Sequence, residues 1–370
     1  MSSLPLHFFK GRGAGSNPGP RFDAHQRERL LPEEMEWPGD EDAAEPDDLP
    51  RTKTTVTLRQ ARSIISRNQS PDIGFEQSIN PYQGCEHGCV YCYARPTHAY
   101  LGLSPGLDFE TQIFAKANAA ELLRAALAKP GYQPNLIVVG ANTDPYQPAE
   151  RKLGITRAVL EVLAECRVPV GIITKNALIT RDLDLLSQMA RNGLVQVNVS
   201  VTTLDTTLAR KLDPRASSPG SRLQAIQALA QAGIPTAVFA SPMIPAINDV
   251  ELEKILEAAA NAGARYASYV LLRLPLEVRD LFVQWLQAHY PLRADHVMHR
   301  VQDMRGGKDY EAHFATRMKG YGLFADLLKQ RFALALRRTG LQKVPGRWDV
   351  SQFRRPACGG SSESTQSSLF

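Results

Sequence analysis

The sequence predicts an α/β fold built on a parallel sheet, and three observations predict it. Five short runs rich in apolar or β-branched residues recur along the middle of the chain, after an extended piece. Amphipathic helical patterns separate them, and several of those patterns stop at a glycine. Buried parallel strands should be rich in apolar or β-branched residues, as these five runs are, while the first of the six strands is read only as an extended piece. Strands alternating with helices make βα units. Periodicity alone leaves open whether the sheet curls into a barrel or stays flat and doubly wound.

In order, the first strand is the extended piece 75–81, directly before a cysteine-rich stretch. A helical pattern over 116–128 leads to the second strand, 135–141 (NLIVVGA). A helix over 156–166 precedes strand 169–174 (PVGIIT), and one over 180–192 precedes strand 195–202 (VQVNVSVT). A helix over 219–232 precedes strand 235–241 (PTAVFAS), and one over 250–262 precedes strand 267–273 (ASYVLLR). Thr156, Thr180 and Asp249 read as N-caps, because a short side-chain oxygen there can accept from a free helical N–H. Gly193, Gly233 and Gly263 read as stops. Two further helical patterns, within 275–339, would pack on the side of the sheet or close one end.

Of the 370 residues, 43% are hydrophobic, enough for a sizeable core. No stretch approaches the ~20 apolar residues a membrane span needs. The N-terminus, MSSLPLHFFKGRGAG, lacks a signal peptide's long apolar run, so a cytoplasmic location is expected. The net charge of +5 is unevenly spread: residues 1–50 hold 5 basic and 11 acidic groups, and the rest carries a net +11. A basic body suits polyanions such as DNA or RNA, and equally suits plain solubility. The run from Glu33 to Asp48 has nine acids and no base. Such composition cannot bury enough apolar surface to offset ordering entropy, so residues 1–55 are expected to be mostly disordered. The expected division is 1–55 extension, 70–290 core, 291–358 helical extension and 359–370 flexible tail.

Three of the five cysteines sit in 80–98, NPYQGCEHGCVYCYARPTH, as Cys-x3-Cys-x2-Cys. In a reducing compartment this spacing reads as metal ligands rather than disulfides. Cys85, Cys89 and Cys92 would bind an iron–sulfur cluster through three thiolates, leaving one iron open. Gly84 and Gly88 would let the backbone wrap closely. The competing readings are a Cys3His zinc site using His87 or His98, as in a zinc-stabilised non-enzymatic binding module, and three buried structural cysteines.

CEHGCVYC resembles the signature of radical S-adenosylmethionine enzymes. NPYQGCEHGCVYCYAR, TDPYQPAE at 143–150, ITKN at 173–176, SVTTLD at 200–205, PMIPAIND at 242–249 and LLRLP at 271–275 together resemble the spore-photoproduct-lyase-like subgroup, whose members carry the label DNA repair photolyase. The opening GRGAGSNPGPRF is similar to the N-terminus of one subfamily. The resemblance implies a partial (β/α)6 TIM-type barrel with a helical C-terminal extension. It implies a 4Fe-4S cluster on the three cysteines, with S-adenosylmethionine chelating the fourth iron. One electron, from a donor such as flavodoxin or ferredoxin, would then release a 5′-deoxyadenosyl radical that abstracts hydrogen from substrate. That substrate would be a nucleic acid or nucleotide, or alternatively a protein or small metabolite.

Ligands in such sheets bind at the carboxyl ends of strands. By analogy Asn142 and Asp144 would receive the methionine amino group and Lys175 its carboxylate. Ser200 and Thr202 would bond ribose or amino groups, Tyr91 would pack on adenine, and Arg273 would face substrate or cofactor. The plain alternatives are a turn at Asp144-Pro145, a surface charge at Lys175 and core packing for Tyr91. One departure stands out: the lyases carry a cysteine hydrogen donor after the second strand, and GANTDPYQ has none. Cys166 reads as a buried structural thiol. Tyr91 and Tyr93 match the lyases' flanking tyrosines, which leaves Tyr93 as a candidate catalytic relay.

Overall fold

A computed structural model of the chain describes residues 9–22, 52–344 and 348–356. Six parallel strands form its centre: β1 Gln77–Ile79, β2 Ile137–Val139, β3 Val170–Thr174, β4 Val195–Ser200, β5 Thr236–Met243 and β6 Tyr266–Leu271. They pair in chain order. All six lie inside or within two residues of the runs expected from the sequence. Helices α1 Ala119–Ala128, α2 Ile155–Glu165, α3 Leu183–Arg191, α4 Pro219–Gln231 and α5 Leu252–Asn261 follow the first five strands. Then come α6 Val278–His289, α7 Ala294–Asp303 and α8 Leu323–Thr339.

The barrel is partial. Ile65–Arg67 adds antiparallel to β1 at one edge, and Gln342–Lys343 adds parallel to β6 at the other. The segment before α8 runs beside β6, where Leu271 N–H donates to the Met318 carbonyl at 3.0 Å. Arg317 in that segment grips Asp72, in the turn before β1, with two hydrogen bonds of 2.6 Å. This half-buried bidentate pair ties one edge of the sheet to the other.

Side chains alternate across a strand, and β4 shows what the two faces are for. Val195, Val197 and Val199 join the main apolar core with Val170, Ile172, Leu160 and Leu186. Gln196, Asn198 and Ser200 are equally buried but point to the polar lumen, where Gln196 bonds Asn198 at 2.8 Å. A second apolar cluster packs α6 and α7, through Phe282, Trp285, Val297 and Val301, onto Val90, Tyr91, Leu208 and Leu212. The C-terminal helices thus cover the cysteine end of the barrel.

The helix stops come out as the sequence predicts, with left-handed backbone at Gly193, Gly233 and Gly263. The starts do not. Thr156 caps nothing; its own N–H is taken by the Glu150 carboxylate at 2.9 Å. Thr180 lies inside a 3-10 turn, Ala177–Asp182, which Asn176 caps. Asp249 makes no cap bond. For Thr156 and Thr180 another acceptor, Glu150 or Asn176, takes the place of the local one.

The N-terminal expectation also needs correction. Residues 9–22 lie against the barrel, with Arg12, Gly13, Ala14 and Ser16 buried. Residues 23–51, which include the acidic run, and 357–370, which include Cys358, lie outside the described residues. Among the described residues, no helix is long and apolar enough to cross a membrane.

Candidate active site

The loop after β1 carries Cys85, Cys89 and Cys92, all free thiols; the first two are buried and the third half-buried. Its shape is imposed from several directions. Cys85 N–H donates to the Phe109 carbonyl at 2.9 Å, and Val90 N–H to that of Leu212 at 3.3 Å. Gln147 clamps both ends of one turn, accepting from Glu86 N–H at 3.0 Å and donating to the Gly84 carbonyl at 3.1 Å. Arg95, fully buried, donates Nε to the Cys89 carbonyl at 2.8 Å and pairs with the fully buried Glu110.

Burial, and then the Asp213 carboxylate, push the Cys89 thiol well above its ordinary pKa, while Lys175 opposes them. Burial likewise raises Cys92, against the Arg95 cation. These thiols hold their protons until something displaces them, so loading a metal here releases protons.

Three thiols on one loop are a donor set that would fit a multi-iron cluster. Among the described residues, no three His, Cys, Asp or Glu side chains converge as a single ion requires. Thiolates of a cubane bind different irons and stand wider apart than the ligands of one tetrahedral ion. Of the two histidines a Cys3His site would use, His87 has both ring nitrogens engaged, whereas His98 engages only one and leaves its buried Nδ1 without a partner. His98 bonds the Gln112 carbonyl at 3.0 Å between Phe109 and Phe114. His87 lies between Asp144, at 3.3 Å, and Asn176, at 3.2 Å.

Asp144 is not the free carboxylate expected from the sequence. One oxygen accepts from Tyr146 N–H at 2.9 Å and Thr174 Oγ1 at 2.7 Å. The other accepts from Lys175 N–H at 2.6 Å and faces His87 Nδ1. Those four donors use the capacity of a carboxylate, leaving none for an amino group. Although burial opposes its charge, His87 and these bonds hold Asp144 below its ordinary value. Burial disfavours the His87 cation too, yet Asp144 and then Cys85 outweigh it and push His87 up to about 10. The role of Asp144 is therefore to fasten the cysteine loop to β2 and β3.

Tyr91 is likewise committed. It is buried, and its hydroxyl donates to Asp213 and meets Thr202 Oγ1 at 3.2 Å. Thr202 also bonds Asp213, at 3.2 Å, and Arg222 pairs with Asp213 at 3.0 Å. The hydroxyls of Tyr91 and Thr202 are thus engaged with Asp213 and brace the floor, while the expected packing of the Tyr91 ring on adenine is untouched by these bonds. The sequence reading missed Arg95, Glu110, Asp213 and Arg222, and placed His87 only in a competing zinc site. Asp213 and Arg222 carry no local signal, because what pairs them is the return of the chain after β4.

The remaining candidates keep free groups. The Lys175 ammonium makes no hydrogen bond among the described residues; it lies 5.9 Å from the centre of the Tyr91 ring, and Cys89 and Asp213 hold its pKa up against burial. Ser200 uses only its carbonyl, toward Arg222 at 3.1 Å. Asn142 is exposed, with its N–H on Asn80 at 2.8 Å. Tyr93 is 45% exposed, and its hydroxyl donates to the Ala141 carbonyl. Arg273 stacks 5.4 Å from the centre of that ring. Its two hydrogen bonds are long, 3.6 Å to Met318 Sδ and 3.4 Å to the Tyr310 hydroxyl, and its buried Nε has no partner. Lys175, Ser200, Asn142 and Arg273 thus keep polar groups for ligands around the mouth, while Tyr93 offers an exposed ring whose hydroxyl already meets a carbonyl.

Residues 79–259 match the Radical SAM superfamily. An uncharacterized protein of Mycobacterium tuberculosis is 37% identical over 241 residues, covering 64% of this chain and 71% of that protein. A protein of Pseudomonas phage M6, named a radical SAM Nalpha-GlyT isomerase, is 28% identical over 225 residues; 58% of this chain matches 44% of its length. Among solved structures, spore photoproduct lyase complexed with dinucleoside spore photoproduct shares the fold. Its TM-score is 0.52 at 13% identity, covering 77% of this chain and 79% of that one.

Proposed function

Because the chain belongs to the radical SAM superfamily of S-adenosylmethionine-dependent enzymes, we propose that Cys85, Cys89 and Cys92 hold a 4Fe-4S cluster and that the substrate is a nucleic acid or nucleotide. When bound, the cluster and S-adenosylmethionine supply one electron and a carbon–sulfur bond to break, and so a 5′-deoxyadenosyl radical. The observation that carries this reading is three cysteines on the loop after β1, beside a Lys175 after β3 whose ammonium makes no hydrogen bond among the described residues.

The chain's own residues bind and orient. Lys175 takes the carboxylate of S-adenosylmethionine, since it is the uncommitted cation beside the cysteine loop. Ser200 and Asn142 offer a hydroxyl and an amide to its remaining polar groups. The covering helices α6 and α7 keep water from the cysteine side, where a carbon radical would otherwise meet stray reactants. Tyr93 is the proposed hydrogen-atom relay, because its side chain is 45% exposed and bonds a single carbonyl, whereas Tyr91 is buried on Asp213 and Thr202. Radical SAM enzymes need a reducing partner, and a flavodoxin or ferredoxin would serve here.

Two guanidinium–aromatic pairs support the substrate class: Arg273 with Tyr93, and Arg317 with Phe314 at 4.6 Å. Both rings are nearly half exposed. Rings backed by cations offer stacking faces for bases. The body's net +11 and the names of the phage isomerase and of the lyase complex point the same way.

The test is anaerobic. Reconstituted protein with reductant should convert S-adenosylmethionine to 5′-deoxyadenosine, and Cys85→Ala, Cys89→Ala and Cys92→Ala should each abolish it. Unchanged cleavage in all three variants would sink the cluster assignment. Binding to single-stranded DNA or RNA should weaken steeply with salt; salt-independent or absent binding would direct the search to other substrates.

A further inference from the structure

We propose that the N-terminal segment 11–17 is a working part of the cluster site, a strap that fixes the cysteine loop from behind through Glu110. The inference rests on the reading that the three cysteines hold the cluster. It adds positioning residues, Gly13, Arg95 and Glu110, none of which reaches a thiol.

Glu110 is fully buried and faces two ways. Toward the strap, its carboxylate accepts Gly13 N–H at 3.0 Å and Ala14 N–H at 2.9 Å. Toward the loop, it pairs with Arg95, whose Nε holds the Cys89 carbonyl at 2.8 Å and whose Nη1 holds those of Pro105 and Gly106 at 3.1 and 2.9 Å. One chain of charge-assisted bonds therefore runs from the strap backbone to the backbone of a cluster ligand.

The contact is also steric. A Cβ on Gly13 would lie 1.8 Å from the Gly88 carbonyl oxygen, between the first two cysteines. Strap and loop thus meet backbone to backbone, with room for no side chain. Arg12 locks the strap in turn, donating to the Glu110 carbonyl at 2.8 Å, the Thr52 carbonyl at 2.7 Å and Thr54 Oγ1 at 2.8 Å. Further along, Ser16 bonds Gln284 of α6 at 2.6 Å, and Asn17 and Asp108 exchange two bonds of 3.0 Å. The strap is sewn to the cysteine loop, to the segment that supports it and to the covering helix.

Residues that orient metal ligands from behind typically command about 10–100-fold in metal retention. Gly13→Val should therefore release iron to a chelator roughly 10–100-fold faster than wild type. Its metal-free form should keep the wild-type circular dichroism spectrum, showing that the barrel is folded while the strap is displaced. Deleting residues 1–18 should have the same effect, and a peptide spanning residues 9–20 should restore retention. Should the deletion disrupt the barrel by circular dichroism, Gly13→Val decides alone. Wild-type iron release in Gly13→Val, measured where Cys85→Ala holds no cluster, overturns the strap and leaves the cluster assignment standing. Iron bound equally in Cys85→Ala would overturn the cluster assignment instead.

Discussion

On the cysteine side of the barrel mouth, charged groups are matched to partners before any ligand arrives. Asp144 has four donors, Glu110 pairs with Arg95 while accepting two strap N–H groups, and Asp213 holds Arg222, Thr202 and Tyr91. On the β6 side, Arg273 has two long bonds and an unpartnered Nε. Lys175, between them, holds its ammonium free of hydrogen bonds among the described residues. Arg12 Nε and His98 Nδ1 are unpartnered too, so the contrast lies in the bonds made: the buried carboxylates are filled with short bonds, and the Arg273 guanidinium has only long ones for a ligand to replace. The difference separates a half built to hold a cofactor rigidly from a half built to receive something.

The comparison predicts unequal responses to substitution. The largest belongs to the thiols: loss of any one should remove the cluster's iron and all 5′-deoxyadenosine formation. Retained iron in Cys89→Ala would show that the cysteine side is not the metal side. Next come the buried charges that hold the loop. Arg95→Met strands Glu110, and breaking a buried pair on one side typically costs about 3–5 kcal/mol. Denaturant unfolding of the metal-free protein should show a loss of that size; a loss under about 1 kcal/mol would mean that the pair is not buried as described.

Arg273→Ala should behave in the opposite way. Few bonds are lost, so stability should stay within about 0.5 kcal/mol of wild type, as for ordinary surface changes. Losing hydrogen bonds from a charged group to a ligand costs about 1.5–3 kcal/mol, or roughly 10–100-fold in kcat/KM for a polyanionic substrate. Cleavage of S-adenosylmethionine without substrate should change little. A large stability loss with unchanged substrate kinetics would reverse the assignment of the two halves.

The same division explains what the sequence disclosed. The six strands were legible because buried parallel strands favour apolar and β-branched residues: Ile137–Val139 is apolar throughout, and Val195–Ser200 carries a valine at every second position. The cysteines were legible because their spacing is local. Asp144 was found but misjudged: its position after β2 was visible, whereas its bonds to His87, Thr174 and Lys175 arise only when three loops meet. The strap was hidden for a different reason. GRGAGSNPGP reads as disorder on composition, since it offers almost no apolar side chains. It packs through backbone N–H groups and the absence of Cβ atoms, and apolar patterning does not register either.

The smallest effect probes the helical cover of the cysteine side by pH. His289 ends α6 with its ring 5.3 Å from Trp285, and burial, then the Lys211 cation, lower its pKa to about 4. The folded protein thus holds the imidazole neutral, while the unfolded chain protonates it near 6.5. Its contribution is fully present above about pH 6.5 and is lost as pH falls toward 4, where only the unfolded state has gained the proton. Other groups titrate in that window, so the informative quantity is the difference between wild type and His289→Gln, which cannot charge. Wild type should lead at pH 7.5 through its ring contact with Trp285, and the lead should shrink or invert by pH 4.5. A lead that stays constant between the two pH values would mean that His289 is solvated in the folded state, and that the cover over Val90 and Tyr91 is looser than the packing of Phe282 and Trp285 implies.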